Sequence, residues 1–125
     1  MSVVTKPVPG TVAEAVTRLR AMLDAKNVTT FVVIDQAAAA RQVGQTLRDT
    51  VLVVFGDPAS GTPVMVAAPA AAVDLPLKVL IWDDGGQATV SYDDPAAVAG
   101  RHHLSADLAA RLAGIGPLTD ALVAP

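Results

Sequence analysis

The loop GDPASGTP is the segment whose residue types and spacing could bind a ligand. Gly56 and Gly61 are separated by four residues and followed by Thr62, between an apolar strand and a helix, which is the spacing of a phosphate-binding loop. Thr62 stands where that loop requires lysine, Pro63 removes a backbone N–H, and Asp57 adds a negative charge. We therefore expect no nucleotide hydrolysis. The loop is either an ordinary strand-to-helix connection or a place where free N–H groups bind a small anion.

The two histidines and the serines offer little catalytic chemistry. His102 and His103 are adjacent, so their side chains project in different directions and are poorly placed to share one metal ion. One of them, with Arg101, could act as a lone acid–base group or anion contact, or have no role beyond the end of a helix. Ser60 and Ser105 lack the G-x-S-x-G context of a nucleophile elbow. We predict no catalytic residue.

Five aspartates are explained by local structure. Asp83, Asp84, Asp93 and Asp94 fall in turns or at helix starts, and Asp35 directly precedes a predicted helix. Their spacing does not match an EF-hand calcium loop. The sequence therefore predicts neither a metal site nor a cofactor.

Composition narrows the classes of protein. The 125 residues fit a single domain over residues 1–125, and 52% hydrophobic residues with 3% aromatic ones predict a core of small aliphatic side chains. The net charge of −3 and the lack of a basic cluster argue against a nucleic-acid partner. The chain has no cysteine and no secretion signal, and its apolar segment Val64–Val73 is too short to cross a membrane. We expect a cytoplasmic protein that does not contact membranes.

The spacing of apolar residues and the positions of cap and turn residues predict an α+β fold, a two-layer α/β sandwich, in the order β-α-β-α-β-α-β-β-α. About five strands are expected in a mixed, largely antiparallel sheet packed with helices. A capping box formed by Thr11 and Glu14 starts the first helix, and Asn27 ends it. The expected strands are Ser2–Val8, at an edge, then Val28–Ile34, Val51–Phe55, Leu77–Trp82 and Gln87–Tyr92. The expected helices are Gln36–Leu47, one from Thr62–Pro63 to Val73 interrupted at Pro69, Pro95–Ala99, one capped by Ser105, and a last turn after a break at Gly114, Gly116 and Pro117.

The clearest topological signal is a hairpin between the last two strands. Asp84–Gly85 as a two-residue loop predicts a type I′ turn and hence antiparallel pairing. Elsewhere, Ala37, Ala40, Gly44 and Leu47 form a stripe of mostly small side chains on the second helix. This stripe is interpreted either as close packing of the helix inside the chain or as the seam of a dimer.

The order of these pieces resembles a bacterial and archaeal family called domain of unknown function 302. The resemblance is carried by the segments VVIDQAAAARQVG, VLVVFGDPASGTPVM, AAPAAAVDLPLKVLIWDD and VSYDDP, and it covers nearly the whole chain, from about Thr11 to His103. It implies a small two-layer α/β sandwich that forms dimers, without an established activity. The family often has histidine where this chain has Gln36, which weakens any acid–base role there.

The resemblance also suggests candidate ligand-binding residues. The family's G-[ND]-P-x-x-G-T-P loop matches this chain at Gly56, Pro58, Gly61, Thr62 and Pro63. The family's late histidine falls on His102. The candidate residues are Asp35, Gly56, Gly61, Thr62, Tyr92 and His102.

Three functional hypotheses follow. The leading one is a homodimeric domain that binds a ligand or partner without catalysis. The alternative is an enzyme acting on a small anionic substrate in a pocket where the candidate residues converge. The third is an interaction module that displays the apolar segment Val64–Val73.

Overall fold

The structure is a computed structural model, and it describes residues 2–124. The strands are β1 (Val3–Pro7), β2 (Thr29–Asp35), β3 (Thr50–Gly56), β4 (Leu77–Asp84) and β5 (Gln87–Asp93). The α-helices are α1 (Val12–Ala25), α2 (Gln36–Gln42), α3 (Pro58–Ala67), α4 (Pro95–Arg101), α5 (Ala106–Leu112) and α6 (Ile115–Val123), and a 3₁₀ helix spans Pro69–Asp74.

The five strands form one sheet in the order β1-β5-β4-β3-β2. All four neighbouring pairs are antiparallel, so the α+β class is confirmed, and no parallel pair accompanies them in this sheet. The first strand lies at an edge, as predicted. For example, the chain leaves β3 through α3 and the 3₁₀ helix and enters β4 at the same end of the sheet, so β3 and β4 run in opposite directions.

The hairpin between β4 and β5 is confirmed, but its loop lies one residue further along than predicted. Asp84 pairs with Gln87, so the two loop residues are Gly85 and Gly86, with φ of +59° and +100°. Both central positions of a type I′ turn require positive φ, which glycine adopts at a lower cost than aspartate. The upstream Asp83 instead accepts the N–H of Gly86 at 2.9 Å.

One face of the sheet packs against α1 and α6. Val53, Val79, Ile81 and Val90 are fully buried there. The helices contribute Ala15, Leu19 and Leu23 from α1, and Ile115, Leu118 and Leu122 from α6. A smaller cluster of Val64, Ala71, Val98 and Leu112 joins α3, the 3₁₀ helix, α4 and α5. Leu77, at the start of β4, contacts both clusters and so links the helices to the sheet.

The opposite face of the sheet carries apolar side chains outside both buried clusters. Leu52 and Val54 on β3 and Leu80 and Trp82 on β4 point to this face, since their strand neighbours point into the core. Trp82 donates its indole N–H to the Ser91 hydroxyl at 2.9 Å. On the neighbouring edge strand, Val32 and Ile34 are 44% and 37% exposed. We call this set of residues the open face.

The predicted helix caps are largely confirmed. Glu14 donates its N–H to the Thr11 hydroxyl and its carboxylate accepts the Thr11 N–H, both at 3.1 Å, which completes the capping box. Asp94 accepts the N–H of Ala96 at 3.0 Å at the start of α4. Asn27 follows α1 with φ of +56°, a conformation that ends a helix.

The predicted start of the third helix at Thr62 is wrong. The α3 helix begins at Pro58, and Asp57 caps it by accepting the N–H of Ala59 at 3.0 Å. Asp57 is a strong cap and Pro58 is suited to the first helical position, so the helix begins at this pair, and Thr62–Pro63 lies inside it. The predicted interruption at Pro69 is confirmed, because the 3₁₀ helix begins there.

Two further helix boundaries differ from the prediction. The α2 helix ends at Gln42 instead of Leu47, because Gly44 adopts φ of +76°. The α6 helix runs through Pro117, which was expected to break the chain. Pro117 is the third residue of α6, where its missing N–H has no partner to lose.

Candidate functional site

A cavity of about 470 Å³ opens where β3 passes into α3. Its walls come from α1, β2, β3, α3, the start of β4, α5 and α6, and most of them are apolar. The lining residues include Leu23, Val28, Phe31, Phe55, Met65, Leu75, Leu77 and Leu118, together with the polar or charged Lys26, Asp57, Ser60, Thr62 and Arg111. This volume and this balance of lining are typical of a site for a small organic molecule.

Two aromatic rings shape the strand side of the cavity. Phe55 is 4% exposed and also belongs to the main core, whereas Phe31 is half exposed. The register of β2 against β3 shifts between Thr30 and Val32, so Phe31 leaves the regular alternation of the strand. A Cβ atom at Gly56 would approach the Phe31 ring to 3.3 Å. The glycine therefore makes room for the phenylalanine ring.

The N–H groups at the start of α3 are engaged by Asp57. Ala59 donates to the Asp57 carboxylate at 3.0 Å, and Ser60 and Gly61 donate their N–H groups to the Asp57 carbonyl at 2.9 Å each. Pro58 has no N–H to offer. The N–H groups expected to bind a small anion are thus already hydrogen-bonded to Asp57.

Two basic residues that sequence reasoning did not single out, Lys26 and Arg111, flank the cavity. Lys26 follows the last turn of α1, and Arg111 lies on α5. Neither forms an ion pair with a carboxylate within residues 2–124. The Arg111 guanidinium reaches the Ala59 carbonyl at 3.5 Å. The Ala59 carbonyl lacks the usual helical hydrogen bond from the residue four positions later, because that residue is Pro63, which has no N–H.

The structure brings three of the six candidate site residues to the cavity. Gly56, Gly61 and Thr62 line it. Asp35 instead pairs with Val51, five residues before Gly56, which corresponds to about 17 Å along the strand. Its carboxylate accepts the N–H of Ala38 at 2.9 Å and caps α2.

Tyr92 serves the core on the covered face of the sheet. The ammonium group of Lys6 lies 5.1 Å from the centre of the Tyr92 ring, and it also donates to Thr119 and Asp120 at 2.8 Å each. Burial alone would lower the pKa of Lys6, but these interactions with Asp120 and Tyr92 together raise it. Tyr92 is thus part of a contact between β1, β5 and α6, and it does not line the cavity.

His102 belongs to a second group of polar residues, which we call the charged cluster: Asp74, Asp93, Arg101 and His102. His102 Nε2 lies 2.6 Å from Asp74 Oδ2, and Arg101 donates to the same oxygen at 2.8 Å. Arg101 also reaches Asp93 at 3.4 Å. The hydrogen bond from His102, and then Arg101, hold the pKa of Asp74 below its usual value, and Asp74 raises the pKa of Arg101.

The apolar segment Val64–Val73 divides between inside and outside. Val64 and Ala71 are buried in the smaller cluster, whereas Val66 and Val73 are exposed. Across residues 2–124, no group of three or more histidine, cysteine, aspartate or glutamate side chains is placed to hold a metal ion. Within the same residues, every helix is too short or too polar to cross a membrane.

Known proteins resemble this chain in sequence and in fold. Over 113 residues it is 36% identical to "Fluoride-specific ion channel FluC 1" of Brucella suis biovar 1, covering 86% of this chain and 44% of that protein. A protein called "Fluoride-specific ion channel FluC 2" of Brucella melitensis biotype 1 is also 36% identical, with 86% of this chain and 42% of that protein covered. The chain therefore spans less than half the length of these relatives.

A solved structure and a family model agree on what the domain is. The crystal structure of an uncharacterised conserved DUF302 protein from Bacillus stearothermophilus matches with a TM-score of 0.83, covering 98% of this chain and 96% of that one at 17% identity. This likeness establishes the fold. The model of the family "Domain of unknown function DUF302" matches residues 4–116. The chain therefore belongs to the DUF302 family.

Proposed function

We propose that this protein is a single-domain, homodimeric binding module that holds a small, mainly apolar ligand without catalysing a reaction. The observation that carries the proposal is the cavity of about 470 Å³ at the junction of β3 and α3. Apolar walls gain free energy when they exchange water for an apolar ligand. The Gly56–Thr62 loop contributes to the wall, so the part of the chain singled out by its sequence retains a place in the site.

The arrangement of acid–base groups favours binding over catalysis. The histidine with a carboxylate partner, His102, bonds to Asp74 and does not line the cavity. Ser60, which does line it, lies 3.4 Å from the Asp57 carboxylate that caps α3. A hydroxyl next to a capping carboxylate, without a histidine beside it, lacks the base and orienting group of a nucleophilic site.

The alternative is an enzyme acting on a small anionic substrate near the Gly56–Thr62 loop. It draws support from the pair of Asp74 and His102, since a carboxylate can orient a histidine as a general base. This alternative requires the substrate to reach His102. Replacing His102 with glutamine would then abolish turnover of that substrate, whereas binding in the cavity would persist under our proposal.

Binding is tested with N-phenyl-1-naphthylamine, a neutral probe whose fluorescence rises in apolar surroundings. We expect saturable binding by the wild-type protein. Gly61 lines the cavity, and apart from its chain neighbours and the nearby backbone of its own helix no described atom lies within 4 Å of where its Cβ would be, so Gly61→Trp should place a ring in the space. We expect this variant to lose affinity by about tenfold or more, which corresponds to roughly 1.4 kcal/mol.

The matched control is Gly100→Trp. Gly100 also lies within a helix with open space around its Cβ position, but it is outside the cavity lining. This variant should bind the probe like the wild type. Equal binding by all three proteins, or no binding by the wild type, would contradict the proposed function.

The dimer part of the proposal is supported by the open face. Its apolar side chains lie on the three neighbouring strands β2, β3 and β4, so they form one continuous patch on the sheet. Ala37 on α2 is buried within its own chain, so the proposed contact uses the sheet and not this helix. Apolar surface of this extent is normally covered by another molecule.

Native mass spectrometry at micromolar concentration tests the dimer. The wild type should be dimeric, and Trp82→Lys on the open face should shift it to monomer. Val66 is exposed but lies on α3, outside this face, so Val66→Lys should leave the dimer intact. A wild-type spectrum that contains only monomer would rule the dimer out.

The Brucella relatives support the description of this domain as a module. The matching stretch makes up 44% of the first of these proteins, so it occurs there beside other sequence. Fluoride is not the ligand we propose for the cavity, because a single small ion would leave most of the apolar wall in contact with water. For this chain we propose a cytoplasmic location, supported by its lack of cysteine.

A further inference from the structure

We propose that the ligand of the cavity is an organic anion with an apolar body, whose charged group binds between Lys26 and Arg111. This inference rests on the proposed function, since it identifies the chemical class of the ligand in the same cavity. The observation behind it is that two cationic side chains, neither paired with a carboxylate of residues 2–124, border an apolar space. A ligand that matches both the basic residues and the apolar wall is an amphipathic molecule with a negative charge.

The size of the cavity requires an organic body. Its volume of about 470 Å³ equals that of roughly 15 water molecules in the liquid. An inorganic anion such as phosphate would occupy a small part of this space. The ring of Phe31 and the side chain of Met65 would then remain in contact with water, which gives no gain from burial. An apolar chain or ring system fills the space and covers these walls.

Of the charged side chains at the cavity, the two basic ones are free to meet a ligand, whereas the acidic one is bonded to the start of α3. Lys26, Asp57 and Arg111 are the charged residues among those that line it. The Asp57 carboxylate accepts the N–H of Ala59 and lies 3.4 Å from the Ser60 hydroxyl, so its charge is directed to the start of α3. The ammonium of Lys26 and the guanidinium of Arg111 are thus the groups left to meet an acidic ligand.

The backbone of α3 helps to place Arg111. Pro63 cannot donate to the Ala59 carbonyl, and Arg111 Nη1 lies 3.5 Å from that oxygen. The guanidinium has five N–H donors in a planar fork, so this long contact leaves most of them for a ligand. A proline within a helix therefore supplies an anchor for the arginine at the cavity.

The first test compares two probes of the same ring skeleton. 8-Anilinonaphthalene-1-sulfonate carries a negative charge that N-phenyl-1-naphthylamine lacks. We expect the wild type to bind the sulfonate about tenfold more tightly at low salt, the size that two exposed charge pairs can supply together. The preference should shrink as salt is added, because exposed charges are screened.

The second test removes the two charges. In Lys26→Gln/Arg111→Gln, the affinity for the sulfonate should fall about tenfold, so that the wild-type preference for the sulfonate over the neutral probe is lost. The control Arg41→Gln/Arg48→Gln removes the same charge from exposed residues outside the cavity lining. It should keep the wild-type preference, which separates a local contact from an effect of net charge.

Each outcome decides between the two proposals. If both probes bind equally well and Gly61→Trp still excludes them, the cavity binds ligands but the anion inference is overturned. If neither probe binds to the wild type, the proposed function fails and the inference fails with it. As a further check, decanoate should displace the sulfonate probe better than decanol does, and equal displacement by the two would overturn the inference.

Discussion

The cavity and the charged cluster lie side by side at one end of the sheet, on either side of Leu77. In the charged cluster, Asp74 is bonded by both His102 and Arg101. In the cavity, apolar walls face open space and the basic residues at its border have no carboxylate partner within residues 2–124. The residues richest in chemistry thus bond to one another, whereas the space in which we propose a ligand is built from residues typical of a core.

This difference has a physical basis. A histidine, an arginine and a carboxylate that meet near the surface satisfy each other's hydrogen bonds, and this joins the 3₁₀ helix to α4. An apolar wall has no such partner within the chain and is stabilised only when something covers it. Substitutions in each region test whether the two have these separate roles.

The largest effect is expected at the two phenylalanines of the cavity. Phe55→Ala should lower the free energy of unfolding by about 3–5 kcal/mol, because Phe55 is also part of the main core. Phe31→Ala should lower it by less than about 1 kcal/mol, because Phe31 is half exposed, yet it should weaken binding of N-phenyl-1-naphthylamine. Urea unfolding and probe titration measure the two quantities. Similar losses of stability in both variants would show that the cavity wall is all structural.

A smaller effect is expected in the charged cluster. Asp74→Asn removes a charge-assisted partner from His102 and from Arg101, and should lower the free energy of unfolding by about 1–2 kcal/mol. Probe binding should remain at the wild-type level, because Asp74 does not line the cavity. Asp24→Asn, at an exposed aspartate without an ion pair among the described residues, is the control for loss of charge. A change in probe affinity in Asp74→Asn would join the two regions into one site.

The contribution of Asp74 should depend on pH in a defined direction. Its pKa in the folded state is lowered from an ordinary value of 3.8, so ionised Asp74 favours the folded state. The contribution is fully present well above pH 3.8 and disappears as the pH falls through the lowered pKa. The difference in stability between wild type and Asp74→Asn should therefore shrink as the pH falls below 3.8. Urea unfolding at several pH values measures it, and a difference that stays undiminished well below pH 3.8 would contradict the assignment.

The smallest effect is expected at the cavity glycine. Gly61 lies within α3 with open space at its Cβ position, so Gly61→Ala should raise the free energy of unfolding by about 0.5–1 kcal/mol. Gly86→Ala should have the opposite effect, because Gly86 adopts φ of +100° in the hairpin loop. Thermal unfolding of both variants checks the signs. Destabilisation by Gly61→Ala would show that the glycine is needed for the fold itself.

Much of the fold could be predicted because its signals are local. The capping box of Thr11 and Glu14 and the hairpin around Gly85 and Gly86 depend on residues a few positions apart, and both features are present. The start of α3 was misplaced because Asp57–Pro58 and Thr62–Pro63 are both good helix starts, and local chemistry alone did not rank them. The inclusion of Pro117 in α6 depended on where that helix begins, at Ile115.

The candidate site was predicted only in part. The sequence pointed to Gly56, Gly61 and Thr62, which line the cavity, because glycines and a hydroxyl residue between a strand and a helix are a recognisable pattern. It gave no signal for Lys26 or Arg111. Each looks like an ordinary exposed base, and their places on one cavity depend on the tertiary arrangement of the end of α1 and of α5.

The sequence by itself determined the α+β class, the main helices and strands, and the strand-to-helix loop, since propensities, caps and turns act over two to four residues. Tertiary structure alone decided which of the candidate residues share a site. Strand pairing placed Asp35 at the far end of β3 from Gly56, and helix packing tied His102 to Asp74. The physical reason is that a cavity is the space left between elements from distant parts of the chain, and local interactions do not fix that space.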